Sequence, residues 1–166
     1  EYLKINILQK ELSIAQIIGL TATADKATRK EIIEKIFKKT PRVFIKGFDR
    51  PNIYLSMQSK NNAKKQILSF IEPYRGKTGI VYCSTRAQTE DWAKFLSSKN
   101  FRALPYHAGM DENNRKKNLR AFINEEGIVI TATIAFGMGI DKPDVRFVCH
   151  ANMPNNIESY YQEVGR

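Results

Sequence analysis

The sequence predicts an α/β domain built on a mostly parallel sheet with helices on both faces. Beyond about Ile53, short β-rich runs alternate with amphipathic helical patterns, the signature of strands joined by helical crossovers. Those helical patterns are long enough to carry the chain back over the sheet between parallel strands, where right-handed connections are the rule. With 166 residues and 42% hydrophobic content, the chain can bury one well-formed core plus an accessory segment.

The first segment, Ala15 to Leu20, reads as a buried strand that runs into Thr21-Ala22-Thr23-Ala24 and a helix from about Asp25 to Phe37. Asp25 is the expected N-cap, and Ile32, Ile33, Ile36 and Phe37 supply the apolar face at helical spacing. The polar stretch Lys38-Lys39-Thr40-Pro41-Arg42 ends that helix, since proline cannot continue one. A domain boundary is expected near Phe48, dividing residues 1–47 from residues 48–166. Strands are then expected at Ile53–Met57, Thr78–Cys83, Phe101–Tyr106, Ile128–Ala132 and Val145–His150. Helices are expected at Asn61–Tyr74, Thr85–Lys99, Asp111–Ile123 and Asn155–Gly165.

In parallel sheets of this kind, binding groups gather beyond the carboxyl ends of the strands. Function is therefore expected at Ser84, His107, Thr133 and the stretch after His150. A formal charge of +10 favours a polyanionic partner. Cys83 and Cys149 sit in apolar runs without metal-ligand spacing and are expected to be reduced core residues. No apolar stretch approaches the roughly 20 residues that cross a bilayer, and the N-terminal residues lack signal-peptide architecture. The expected location is cytoplasmic, with association to the nucleoid if the partner is DNA.

Several motifs carry two readings each. Gly76-Lys77-Thr78 suggests a phosphate loop, but Ile71 stands where that loop needs glycine, and the triplet precedes a strand instead of following one; it is read as a turn. Thr85 and Gln88 have capping-box spacing at a helix start, which stabilises the helix and equally presents Ser84, Thr85 and Arg86 to an anion at the positive end of the helix dipole. His107 precedes Ala108-Gly109 at the functional edge and reads either as a polar core histidine or as a catalyst, although no Ser or Cys nucleophile at a matching strand end supports a hydrolase triad. From Thr131 to Arg146, a strand end followed by two glycines, an exposed aromatic and Met pair and an acid describes a mobile loop with a polar tip. In the final helix, Glu158, Gln162 and Arg166 form a polar stripe beside an apolar face of Ile157, Tyr161 and Val164.

Together, Gly19-Leu20-Thr21-Ala22-Thr23-Ala24, Phe48-Asp49-Arg50-Pro51-Asn52-Ile53, Tyr82-Cys83-Ser84-Thr85-Arg86, Tyr106-His107-Ala108-Gly109, Ala135-Phe136-Gly137-Met138-Gly139-Ile140-Asp141-Lys142-Pro143 and Tyr160-Tyr161-Gln162-Glu163-Val164-Gly165-Arg166 resemble the RecQ helicase family in order and spacing. The Phe-Gly-Met-Gly-Ile-Asp-Lys-Pro string and the Tyr-Tyr-Gln-Glu ending are specific to that family, while the strand-Ser-Thr-Arg pattern is also close to RNA-directed DEAD-box helicases.

The resemblance implies two RecA-like lobes, with ATP and Mg²⁺ between them and single-stranded DNA across both. Residues 1–47 would be the end of the first lobe and a linker, and residues 48–166 a second lobe that stops at its last motif. Thr21, Ala22 and Thr23 would couple hydrolysis to lobe movement. Ser84, Thr85, Arg86 and His107 would bind DNA; Gly139, Asp141 and Arg166 would approach the nucleotide; Gln162 and Arg166 would act on the phosphates. The resemblance further implies three-prime to five-prime unwinding of duplex DNA in recombination and repair. The family's phosphate loop and Asp-Glu-x-His motif have no counterpart here, and its second terminal arginine and zinc-binding and winged-helix regions are not in this sequence. The chain is therefore expected to be a truncated reading frame or an excerpt that does not hydrolyse ATP alone. A non-catalytic single-stranded DNA-binding module derived from a helicase lobe is the alternative, and an RNA helicase a third reading.

Overall fold

The computed structural model describes residues 16–21, 24–37, 39–47, 50–134, 136–137 and 139–165. The chain divides into two compact units, Glu1–Met57 and Gln58–Arg166.

The first unit contains α1, Lys26–Ile36. Its start is set by Asp25, whose side chain accepts a hydrogen bond from the Thr28 amide at 2.7 Å, one of the donors a helix leaves orphaned at that end. The expected strand at Ala15–Leu20 is not formed over its described part: residues 16–20 have no regular structure, and Ile18 and Leu20 are exposed. Ile53–Met57 likewise forms no strand, and Tyr54 and Met57 face solvent. Both runs have β-compatible composition, but a strand exists only where a neighbour completes its hydrogen bonds, and no strand is described in this unit.

The second unit is the parallel sheet. Its elements are α2 (Ala63–Ile71), a short 3₁₀ turn (Glu72–Tyr74), β1 (Thr78–Tyr82), α3 (Arg86–Ser98), β2 (Arg102–Tyr106), α4 (Glu112–Asn124), β3 (Ile128–Ala132), β4 (Val145–His150) and α5 (Ile157–Val164). The strands lie in the order β2-β3-β1-β4, and every pairing is parallel. Pro105 sits in β2, at an edge of the order, where its missing N–H costs least.

Alternation along β1 sorts the core into two faces. Val81 and Cys83 join Ile71, Trp92, Leu96, Phe101 and Phe147 on the side of α2 and α3. Ile80 and Tyr82 join Phe122, Ile128, Ile130 and Phe136 on the side of α4. Both cysteines are buried and unpaired, as expected, and burial pushes each thiol up to about 12. Neither is a thiolate at neutral pH. Among the described residues no helix is long and apolar enough to cross a membrane.

The β1–β4 pairing depends on one glycine. The register skips a residue between Thr78↔Val145 and Gly79↔Phe147, a bulge that brings the Phe147 ring over Gly79. A Cβ at position 79 would lie 2.2 Å from that ring, well inside contact distance. Gly79→Ala is therefore expected to destabilise the unit by about 1–3 kcal/mol, and a smaller residue in Phe147→Leu to recover part of the loss in the double variant. Urea denaturation checks both; a Gly79→Ala variant as stable as the parent would remove this packing account.

Candidate nucleic-acid interface

Because all four strands are parallel, their carboxyl ends share one edge, and Ser84, Thr85, Arg86 and His107 follow two of those ends. Thr85 caps α3: its hydroxyl accepts from the Gln88 amide at 3.2 Å, and the Gln88 side chain reaches back to accept from the Ser84 amide at 3.2 Å. This is the reciprocal cap that the spacing predicts, closed on Ser84 instead of Thr85. It consumes the amides of Ser84 and Gln88 and leaves those of Arg86 and Ala87 at the positive end of a 13-residue helix. Ser84, Thr85 and Arg86 are all exposed.

The turn after β2 packs against this helix start. A Cβ on Gly109 would come within 2.9 Å of Arg86 Cδ and Nη1, so the arginine lies directly over the glycine backbone. His107 is only 7% exposed, and its Nε2 meets Glu90 Oε1 of α3 at 3.1 Å. Its ring is thus held inside the α3–β2 junction, while Ala108 and Gly109 form the exposed surface beside Arg86.

The loop after β3 departs from its expected form. Phe136 is 2% exposed, edge-on to Tyr106 and Phe122, and its carbonyl accepts from Tyr82 Oη at 3.1 Å. The loop is pinned at Phe136 because an aromatic ring has far more to gain from the core than from solvent. Only beyond it do Gly139 and Asp141 emerge, both exposed, with Gly139 at φ 76°, a conformation that favours glycine.

The loop then returns to the opposite edge of the sheet, where Lys142 anchors it. Its ammonium donates to the carbonyls of Ile123 (3.2 Å) and Glu125 (3.1 Å), capping the end of α4, and pairs with Asp144 at 2.9 Å. Asp144 also accepts from the Thr78 hydroxyl at 2.8 Å, and that hydroxyl in turn accepts from the Gly127 amide at 3.1 Å. Thr78 is committed to this clamp at the amino end of β1, and Gly76 sits in a turn closed by the Lys77 amide on Tyr74. The turn reading of Gly76-Lys77-Thr78 thus matches the geometry.

On α5, Glu158 and Gln162 are exposed as expected, and Tyr161 and Val164 are partly buried, but Ile157 faces solvent, and the one buried position is Glu163, with Tyr160 partly buried beside it. Glu163 is 5% exposed and meets His150 Nε2 at 2.6 Å. Sequence reasoning missed this pair; its signal was an acid on the inward side of a helix that follows a strand ending in histidine. A cavity of about 80 Å³ lies at this edge, lined by Tyr82, Ser84, Ile134, His150, Met153 and Glu163 among others. Ser84 and α5 therefore border one space. Thr21 is exposed in the first unit; Ala22, Thr23 and Arg166 lie outside the described residues.

Asp141 and Gln162 are exposed polar groups able to meet a nucleotide, but no cluster of three His, Cys, Asp or Glu side chains that could hold a metal ion occurs among the described residues.

Residues 59–166 match the family described as the helicase conserved C-terminal domain. The chain is 44% identical over 166 residues to the ATP-dependent DNA helicase RecQ of Pasteurella multocida, covering all of this chain and 26% of that protein. It is 37% identical over 171 residues to the RecQ-like DNA helicase BLM of Xenopus laevis, covering all of this chain and 12% of that one. The chain thus spans about a quarter or less of these relatives. Among solved structures it resembles Mss116p DEAD-box helicase domain 2 bound to an RNA duplex, with a TM-score of 0.54 at 23% identity over 63% of this chain and 42% of that one, a likeness of fold.

The Lys142 clamp sets a pH dependence. Partial burial alone would raise the Asp144 carboxyl, but the hydrogen bonds from Lys142 and Thr78 and the Lys142 charge outweigh it and hold it below the usual carboxylate range. A depressed folded pKa gives stability that is fully present above the unfolded value of about 3.9 and is lost as pH falls through the folded value. Asp144→Asn is expected to cost about 1–3 kcal/mol at neutral pH and to flatten the acid limb of the stability curve. Denaturation at stepped pH checks this; an unchanged acid limb in the variant would assign that pH dependence elsewhere.

Proposed function

The chain belongs to the helicase conserved C-terminal domain family, in its RecQ branch, and on that premise we propose that it is the nucleic-acid-binding lobe of an ATP-dependent DNA helicase. The observation that carries this reading is the start of α3: exposed Ser84, Thr85 and Arg86, with the amides of Arg86 and Ala87, beside the Ala108-Gly109 turn. Such a surface takes a phosphate backbone, since hydrogen-bond donors, a helix dipole and a guanidinium all favour the same anion. His107 contributes by holding the turn against α3 through Glu90. The net charge of +10 adds long-range attraction.

In the complete motor a first lobe would face this one, with Thr21, Ala22 and Thr23 relaying movement between them. ATP bound with Mg²⁺ would supply the free energy of phosphoryl transfer. Gly139 and Asp141 would border the nucleotide, and Gln162 and Arg166 would lie toward its phosphates, where the planar fork of arginine meets two oxygens at once. The direction would be three-prime to five-prime and the setting recombination and repair, in the cytoplasm or at the nucleoid. On its own the chain would bind single strands without hydrolysing ATP, because positioning and charge stabilisation are nearly the whole of that chemistry and the phosphate loop is not in this sequence.

Binding is expected to be weak, salt-sensitive and stronger for a DNA strand than for the matched RNA, since the 2′-OH is what distinguishes them. Each neutralised phosphate contributes about −0.7 to the slope of log affinity against log salt. Arg86→Ala is expected to make that slope shallower by about one such unit. Fluorescence anisotropy across a salt series measures it. A slope unchanged in the variant would assign Arg86 to packing over Gly109, and preference for RNA would favour an RNA-directed lobe.

A further inference from the structure

We infer that His150 and Glu163 form a positioning pair which, through Tyr82, holds α5 and the Phe136 loop at a fixed spacing on the carboxyl edge. This rests on the reading of α5 and that loop as the nucleotide-facing parts of the lobe. Glu163 is an acid at 5% exposure, and a carboxylate withdrawn from water is tolerated only with a close partner. That partner is the His150 imidazole, whose Nε2 lies within hydrogen-bond distance of Oε2 at 2.6 Å. The ring is itself fixed, stacked on Tyr82 at 5.4 Å and 17° and tilted against Tyr160 at 5.4 Å and 52°. Tyr82 continues the path by donating its hydroxyl to the Phe136 carbonyl at 3.1 Å. One contiguous chain of contacts therefore runs from α5 through the ends of β4 and β1 to the loop.

The chemistry suits positioning better than bulk stability. Apolar side chains of similar volume would fill the same space without the cost of desolvating a charge. A short directional hydrogen bond does what an apolar contact does not: it fixes the rotation of α5 about its axis. Gln162 is the residue before Glu163 and points to solvent, so the direction it presents is set by the rotation that Glu163 locks. At the other end, the Phe136 carbonyl anchors the segment that presents Gly139 and Asp141.

The test is amide NMR of the whole chain carrying Glu163→Gln, Glu163→Ala or Tyr82→Phe, beside Ile71→Val as a remote core control matched for loss of melting temperature. Glu163→Ala is expected to displace the amides of Gly137 and Gly139, Glu163→Gln to restore them in part, and Tyr82→Phe to displace those of Gln162 and Glu163. The control is expected to move neither set. If Glu163→Ala does not fold, Tyr82→Phe and Glu163→Gln carry the same comparison. Perturbations confined to the mutated element, or equalled by the control, would overturn the inference. Titrating the parent chain with a single-stranded oligonucleotide in the same experiment tests the functional reading separately: failure to bind would remove that reading while the amide displacements still report on the pair.

Discussion

A parallel strand must hand the chain outside the sheet before the next strand can begin, so every carboxyl end is followed by a connection and all such connections emerge on the same side. In this protein that constraint converts four short strands into one surface. The first turn of α3, the turn after β2, the Phe136 loop and the approach to α5 are neighbours because β1, β2, β3 and β4 are all parallel. The opposite edge is closed differently, by the Lys142–Asp144–Thr78 clamp, which fastens the return of the loop to the end of α4. Binding groups and fastening groups are thus separated by the length of a strand.

Within the carboxyl edge, interior and exposed residues divide the work. Phe136, His107 and Glu163 are buried and determine where backbone lies; Arg86 and Gln162 are exposed and determine what that backbone presents. Two histidine–glutamate contacts recur in this division: buried His107 with Glu90 fastens the end of β2 to α3, and partly buried His150 with Glu163 fastens β4 to α5. In both, a strand end is tied to a helix by a directional polar contact where the apolar core runs out.

Much of this was legible in the sequence because it is local. Asp25, Thr85 and Asp111 announce helix starts through their own side chains, and each caps as its type suggests. Ile128–Ala132 and Val145–His150 are found at the expected bounds, since a run of β-branched residues between breakers has few alternatives. What was not legible depends on partners distant in sequence. Ala15–Leu20 and Ile53–Met57 have strand composition without a described strand to pair with. Phe136 reads as an exposed tip because glycines follow it at 137 and 139, yet its ring is taken up by Tyr106 and Phe122. Glu163 reads as one more acid on a polar helix until His150, thirteen residues earlier, is placed beside it.

The central claim is that the carboxyl edge, and not the basic surface as a whole, receives a nucleic-acid backbone. Hydrogen exchange of the chain with and without a saturating single-stranded DNA oligonucleotide tests it most directly. The account predicts slower exchange concentrated in residues 84–88 and 107–110, with the amino-edge amides of Gly127 and Val145 unchanged. Protection centred instead on the Lys- and Arg-bearing face of α4, or spread evenly over the surface, would contradict it.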